Sequence, residues 1–178
     1  MVAIVVTAAG TSVSSLGSLT QREVWQLLTG VPDPEIPVLN VVELGLIRHV
    51  RSERAGHVEV GVSPTYTGCP ATEVIQHSIR DHLESAGFGD VNVVTVLSPA
   101  WTSDWLTESA HRKLREYGIA PPAHSVAQPR HLFREPTVRC PLCASAKTER
   151  VSEFASTPCK ALYRCIACLE PFEYFKCI

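Results

Sequence analysis

The sequence predicts an α+β fold: a domain of order αββαβα over residues 19–118, then a smaller β-rich module over 137–178. Three observations predict it. Apolar residues recur at helical spacing in three stretches and fall into strand-like runs in three others. A stretch rich in Pro, His and Arg without periodicity, 119–136, reads as a linker between the two parts. Near the end stand two cysteine pairs, Cys140-Pro-Leu-Cys143 and Cys165-Ile-Ala-Cys168, with 21 residues between them.

Residues 1–18 are rich in Ala, Ser, Thr and Gly and read as a flexible tail. Thr20-Gln-Arg-Glu23 is a capping box, in which hydroxyl and carboxylate satisfy free helix N–H groups. Val24, Leu27 and Leu28 follow at helical spacing, and Gly30 and Pro32 end the helix. Asp33-Pro-Glu-Ile-Pro37 is excluded from helix, because each proline pushes its predecessor into extended geometry. A first strand is expected over 46–50. Val58, Val60 and Val62 alternate with Glu59 and Gly61 as a second, and Arg54-Ala-Gly56 offers the turn between them. Pro70 suits the first position of a second helix. Its apolar stripe is Ala71, Val74, Ile75, Ile79 and Leu83, and Gly87 and Gly89 end it. A third strand is expected over 91–97. Thr102 or Ser103 caps a last helix bearing Leu106, Ala110 and Leu114 on one face, stopped by Gly118 and Pro121.

With 178 residues, 45% hydrophobic and 19% charged, the chain can bury a core of ordinary size and is not of disordered composition. Its net charge is −2, and residues 137–178 hold six Lys and Arg against four Asp and Glu. A nucleic-acid stripe is not expected from so weak a balance. No apolar run approaches the ~20 residues that span a bilayer. The apolar start lacks a basic segment, so a signal peptide is a poor reading. Paired cysteine spacing without that signal favours reduced thiols and a cytoplasmic setting.

Two Cys-x-x-Cys turns bring four thiolates onto one tetrahedral ion, so Cys140, Cys143, Cys165 and Cys168 are the expected ligands of one zinc. An iron–sulfur cluster accepts the same four thiolates, but the spacing is that of a zinc ribbon. Val138, Tyr163, Phe172, Tyr174 and Phe175 supply strand formers around the turns. Cys159 and Cys177 are left over. Cys159 reads as a replacement ligand, a thiol that passes metal onward, or a plain buried residue; Cys177 reads as incidental.

A second constellation lies in the first domain. Ser63-Pro-Thr-Tyr-Thr-Gly-Cys-Pro70 joins the second strand to the second helix and puts Cys69 at the expected helix N-terminus, where a thiolate is favoured. Thr65 and Thr67 add hydroxyl donors, so the loop reads as an anion cradle or a single-thiol metal ligand. Cys69 also reads as a small buried hydrophobe, and Asp33 and Glu35 as carboxylates that cap a turn.

Asp33-Pro-Glu-Ile-Pro37, Val42-Glu-Leu-Gly-Leu-Ile47, Thr67-Gly-Cys-Pro70 and Ser98-Pro-Ala-Trp-Thr102 resemble, in order and spacing, the SufT-like domain of iron–sulfur cluster maturation proteins. With Cys159-Lys-Ala-Leu-Tyr-Arg-Cys165 and Leu169-Glu-Pro-Phe172 added, the whole chain resembles the PaaD family of phenylacetyl-CoA epoxidase systems. That resemblance implies a cytoplasmic, non-catalytic maturation factor of aerobic phenylacetate degradation, a SufT-like domain followed by a zinc ribbon. Its partners would be the oxygenase and reductase subunits and iron–sulfur assembly proteins, with neither nucleic acid nor membrane. It makes Cys69 the reactive thiol that transiently holds iron or a cluster edge, with Asp33, Glu35 and Thr67 in the adjoining loops.

A carboxylate-bridged di-iron site needs Glu-x-x-His elements on facing helices, and the sequence does not supply two. No Gly-x-Gly-x-x-Gly is present for a dinucleotide. The oxygen chemistry is therefore expected on another chain. A second reading keeps the chain as a purely structural subunit of the oxygenase complex. A third makes Cys69 an enzymatic nucleophile, which would need a positioned base.

Overall fold

A computed structural model describes residues 21–52, 56–122 and 137–178. The expected tail at 1–18, Thr20 of the capping box, Arg54 and Ala55 of the expected turn and positions 123–136 of the expected linker lie outside those residues.

Helix α1, Gln21–Leu28, buries Val24 and Leu28. The chain then runs as a loop through residues 29–46, closed by a bridge between Pro32 and Asn40. Although irregular, this loop carries much of the core: Val31, Ile36, Leu39, Val41, Leu44 and Leu46 are each at most 2% exposed. Strands β1 (Ile47–Arg51) and β2 (His57–Val62) pair antiparallel, and β3 (Asp90–Thr95) pairs parallel with β2. A parallel pair needs a long crossover, which α2, Ala71–Ser85, provides. Val58, Val60 and Val62 on β2 face Ala71, Ile75, Ile79 and Leu83 in one cluster.

Val74 departs from the expected stripe and is 51% exposed. The buried residues form an i, i+4 row that advances about 40° per step in one direction, and Val74 falls behind its trailing edge. The helix also starts one position later than expected. Pro70 occupies the cap and Ala71 opens the helix, so Cys69 lies just outside it.

The expected last helix is two elements. Thr102 caps a single 3-10 turn, Ser103–Trp105, and Leu106 is extended with its side chain buried. Thr107 N–H donates to Glu43 O at 3.0 Å, and the Thr107 hydroxyl accepts from Ala110 N–H to cap α3, Glu108–Glu116. Burying Leu106 while anchoring Thr107 to the 29–46 loop is what breaks the helix.

Strand β4, Ile119–Ala120, pairs parallel with β7, Pro171–Phe175. The C-terminal sheet thus recruits residues expected to begin the linker. Its order is β4-β7-β6-β5, with β5 at Thr148–Ser152 and β6 at Lys160–Cys165. Tyr163, Phe172 and Tyr174 make its small aromatic core.

The two modules share a core. Phe175 and Cys159, from the C-terminal sheet, belong to the apolar cluster of the first domain. The Phe175 ring lies 6.1 Å from that of Trp101, and Ser103 N–H donates to the carbonyl of Ile178 at 3.0 Å. Burying a phenylalanine side chain contributes roughly 1.5–3 kcal/mol, so this seam is an energetic part of the fold.

Candidate functional site

The two Cys-x-x-Cys turns have the same local geometry. Each is followed by a residue in the left-handed region, Ala144 at φ 60° and Leu169 at φ 67°. That conformation is uncommon outside glycine and turns the chain back sharply after the second cysteine. The sulfurs of Cys140 and Cys168 are 3.7 Å apart, those of Cys143 and Cys165 are 3.5 Å apart, and all four lie within 4.8 Å of one another. A tetrahedral ion with metal–sulfur bonds of about 2.3 Å has edges of about 3.8 Å, so the donor set fits zinc in size and chemistry. Cys168 N–H points at Cys165 Sγ at 3.5 Å. Backbone donation from Cys168, with further help from Ala167, brings the Cys165 thiol down to about 6, against the effect of burial. Zinc bound there would act as a structural cross-link between the turns.

A second site lies where the ribbon meets the first domain. A cavity of ≈ 30 Å³ is lined by Asp33, Glu35, Ser63, Thr65, Cys69, Thr72 and Cys159 among apolar residues that include Phe175. Asp33 is positioned by its own turn: its Oδ1 accepts from Glu35 N–H at 2.9 Å and from Ile36 N–H at 2.7 Å. Cys69 is held by a turn in which its N–H donates to Tyr66 O and its carbonyl accepts from Thr72 N–H. Cys159 immediately precedes β6. Its Sγ lies 3.0 Å from Thr157 Oγ1 and 3.9 Å from Glu35 Oε2.

Four acidic groups thus converge in a poorly solvated place. Burial pushes the Asp33 carboxyl up, against the opposing N–H bonds from Ile36 and Glu35 and the charge of Lys160. Burial also raises Glu35, with the nearby Asp33 charge adding to it. The Cys159 thiol is raised chiefly by burial and then by Glu35. Tyr66 is pushed up to about 12, first by burial and then by the adjoining Cys69. The Tyr66 hydroxyl is enclosed without a well-directed hydrogen bond among the described residues, as are the hydroxyls of Ser63 and Thr72. Lys160, 3% exposed, is the nearest cation, and its Nζ is engaged with Glu173 Oε2 at 2.7 Å.

The structure places Asp33, Glu35 and Cys69 along one cavity. Thr67 is exposed and does not line it, whereas Thr65 does. Cys159 joins the same cavity from the other module. Cys177 stands apart, its Sγ 3.1 Å from the Tyr174 hydroxyl. Sequence reasoning missed Ser63, Thr72 and the seam residue Phe175, and nothing in their local pattern marks them. One Glu-x-x-His does occur, Glu108-Ser-Ala-His111 on α3, and it faces no second such element among the described residues. Burial and the Arg115 charge hold the His111 imidazole below its ordinary pKa.

Residues 21–96 match the family described as iron–sulfur cluster assembly protein, and residues 125–176 match the PaaD zinc beta ribbon domain. A protein of Escherichia coli (strain K12), named as the D subunit of a "Putative 1,2-phenylacetyl-CoA epoxidase", is 55% identical over 158 residues, which cover 88% of this chain and 93% of that one. The chain belongs to the PaaD family of phenylacetyl-CoA epoxidase subunits. Its C-terminal module is the four-cysteine zinc ribbon of that family. The N-terminal part is also 36% identical, over 96 residues, to a Porphyromonas gingivalis (strain W83) protein named "Fe-S protein maturation auxiliary factor"; the match covers 53% of this chain and 90% of that one. In fold it is similar to the crystal structure of a DUF59 domain from Bacillus anthracis, with a TM-score of 0.50 at 23% identity over 53% of this chain and 90% of the other. Among the described residues no helix is long and apolar enough to cross a membrane.

Proposed function

We propose that this chain is a non-catalytic accessory subunit of the phenylacetyl-CoA 1,2-epoxidase system of aerobic phenylacetate degradation, and that it aids delivery of iron or an iron–sulfur cluster to the oxygenase or reductase subunits. The observation that carries this reading is the cavity holding Cys69 beside Asp33 and Glu35, separate from the saturated four-cysteine site. Thiols beside two carboxylates hold iron less tightly than a closed set of four thiolates, which suits cargo that must leave again. The named relatives support the same reading, one as an epoxidase subunit and one as a maturation factor.

In this role the ribbon stays folded around zinc, docks the acceptor and keeps the cavity assembled. Asp33 is oriented by its two N–H bonds, Glu35 reaches toward the ribbon, and Cys69 is the thiol presented to cargo. The test is to co-express the epoxidase with Cys69→Ser and measure its iron content and activity. Both should fall severalfold. Unchanged values, with the variant folded and zinc-loaded, would remove the delivery role.

A further inference from the structure

Charge is unevenly spread along the chain. Residues 111–139 hold six Lys and Arg against two Asp and Glu, with three histidines, in a chain whose net charge is −2. Both ends of that stretch line a second cleft, of ≈ 710 Å³, between α3 and the first cysteine turn. Clefts that hold small ligands usually measure about 300–1,000 Å³. This one shares no lining residue with the seam cavity.

Its polar side is cationic. His111 and Arg115 stand four positions apart on α3 and so share a face. Arg139, immediately before the zinc ligand Cys140, lines the cleft from the ribbon. Its Nη1 donates to the Ala144 carbonyl at 3.2 Å, which tethers the side chain and leaves other N–H groups of the guanidinium for a ligand. Arg51, Arg150 and Arg164 each pair with a glutamate. Arg115 and Arg139 make no ion pair among the described residues, and no carboxylate among them lines the cleft. A cleft walled by one sign of charge concentrates ions of the other.

Its apolar side is rigid. Pro121 and Pro122 follow β4, which is paired to β7, and Pro141 lies inside the Cys140–Cys143 turn. Proline rings lock the backbone, so this wall is formed before a ligand arrives and the ordering cost of binding falls.

We propose that this cleft binds an organic phosphate that carries a flat ring, of the adenosine phosphate class, with the phosphate on Arg115 and Arg139 and the ring against the prolines. A guanidinium presents a planar fork of donors that matches phosphate oxygens. The cleft is larger than a phosphate alone needs, and its proline wall offers apolar surface that an inorganic anion cannot use. A coenzyme A thioester and a free adenine nucleotide both carry this chemistry. Binding here is independent of cargo delivery at Cys69.

The test is calorimetry on full-length, zinc-loaded protein at about 0.15 M salt, where exposed charges more than ~8 Å apart are largely screened. The probes are acetyl-CoA, whose sulfur is blocked and does not compete for zinc, ADP, inorganic phosphate and polyglutamate. At least one of the two adenosine phosphates should bind saturably, one per chain, and about tenfold or more tightly than inorganic phosphate. Arg115→Gln and Arg139→Gln should each weaken that binding about tenfold or more, with zinc content and circular dichroism unchanged. Should Arg139→Gln loosen the cysteine turn and lower zinc content, Arg115→Gln decides, since Arg115 is exposed on α3. Acetyl-CoA binding tighter than ADP assigns the site to a coenzyme A thioester, and equal or weaker binding assigns it to a free nucleotide; both uphold the site. Three results overturn it: no saturable binding of either adenosine phosphate, wild-type affinity in Arg115→Gln, or polyglutamate binding tighter than both, which would make the cleft a dock for an acidic protein segment.

Discussion

Cys159 Sγ lies 3.9 Å from Glu35 Oε2, a carboxylate 124 positions earlier in the chain. The contact is made across the seam where Phe175 and the Ile178 carbonyl also enter the first domain. The ribbon therefore completes a wall of the cavity that holds Cys69, and its folding and that of the first domain are coupled through a handful of named contacts.

Phe175 measures that coupling. It is 1% exposed and packs against Trp101 in the first domain although it is carried by β7. Phe175→Ala leaves a cavity at the seam and should cost about 3–5 kcal/mol. Denaturant unfolding followed by tryptophan fluorescence reads it, because Trp101 belongs to the first domain. A loss below about 0.5 kcal/mol, the size of a surface substitution, would show that the seam is open in solution.

The seam is also where the sequence falls silent. The order αββαβα, the buried rows on β2 and α2, and the four ribbon cysteines are all set by local spacing, and they can be read. Cys69 and Asp33 can be noticed because a helix start and a Pro-rich loop mark them. Cys159 shows in the sequence only as a surplus thiol, since what gives it meaning is a contact with Glu35 that no periodicity encodes. Ser63 is a serine in a loop until burial shows its hydroxyl to be unpaired. The exposure of Val74 and the split before α3 escape the sequence for a similar reason: only the packing shows which side of a helix faces the core and that Thr107 is anchored to Glu43.

Removing zinc should reach beyond the ribbon. Structural zinc supplies folding energy to such modules, and the ribbon carries Phe175, Cys159 and Ile178 into the first domain. Chelation should therefore lower the midpoint of thermal unfolding reported by the first domain's tryptophans, and zinc should restore it. A midpoint that does not move on chelation would mean the first domain is stable without its partner module.

Gly45 in the Val42-Glu-Leu-Gly-Leu-Ile47 motif has a φ of +66°, and a Cβ there would stand 2.6 Å from the carbonyl oxygen of Trp105. The obstacle is backbone, so it cannot rotate away. The left-handed conformation alone costs an L residue about 1–2 kcal/mol, and displacing the 3-10 turn adds to that. Gly45→Ala should lose at least about 2 kcal/mol of stability on this count. It should also disturb the Trp101 indole, whose Nε1 donates to Leu44 O at 3.0 Å. Near-ultraviolet circular dichroism checks the second effect, and an unaltered tryptophan signal would show that the motif's glycine has another purpose.

Asp33 gives a prediction in pH. Burial raises its pKa in the folded chain, so folding favours the protonated acid. The stability this group contributes is fully present below its unfolded pKa, near the ordinary value of 3.8, and is lost as pH rises through the folded value. Asparagine copies the neutral acid and its side-chain oxygen still accepts from Glu35 and Ile36 N–H. Asp33→Asn should thus match the wild type at acid pH and become progressively more stable than it as pH climbs above that value, levelling off beyond the folded pKa. Comparing the two proteins at each pH cancels the acid sensitivity that both share at the zinc thiolates. The measurement is the difference in urea midpoint from acid to neutral pH. A variant less stable than the wild type at neutral pH would mean that the ionised carboxylate is stabilised in place, by its N–H donors and Lys160 or by an ion held in the cavity.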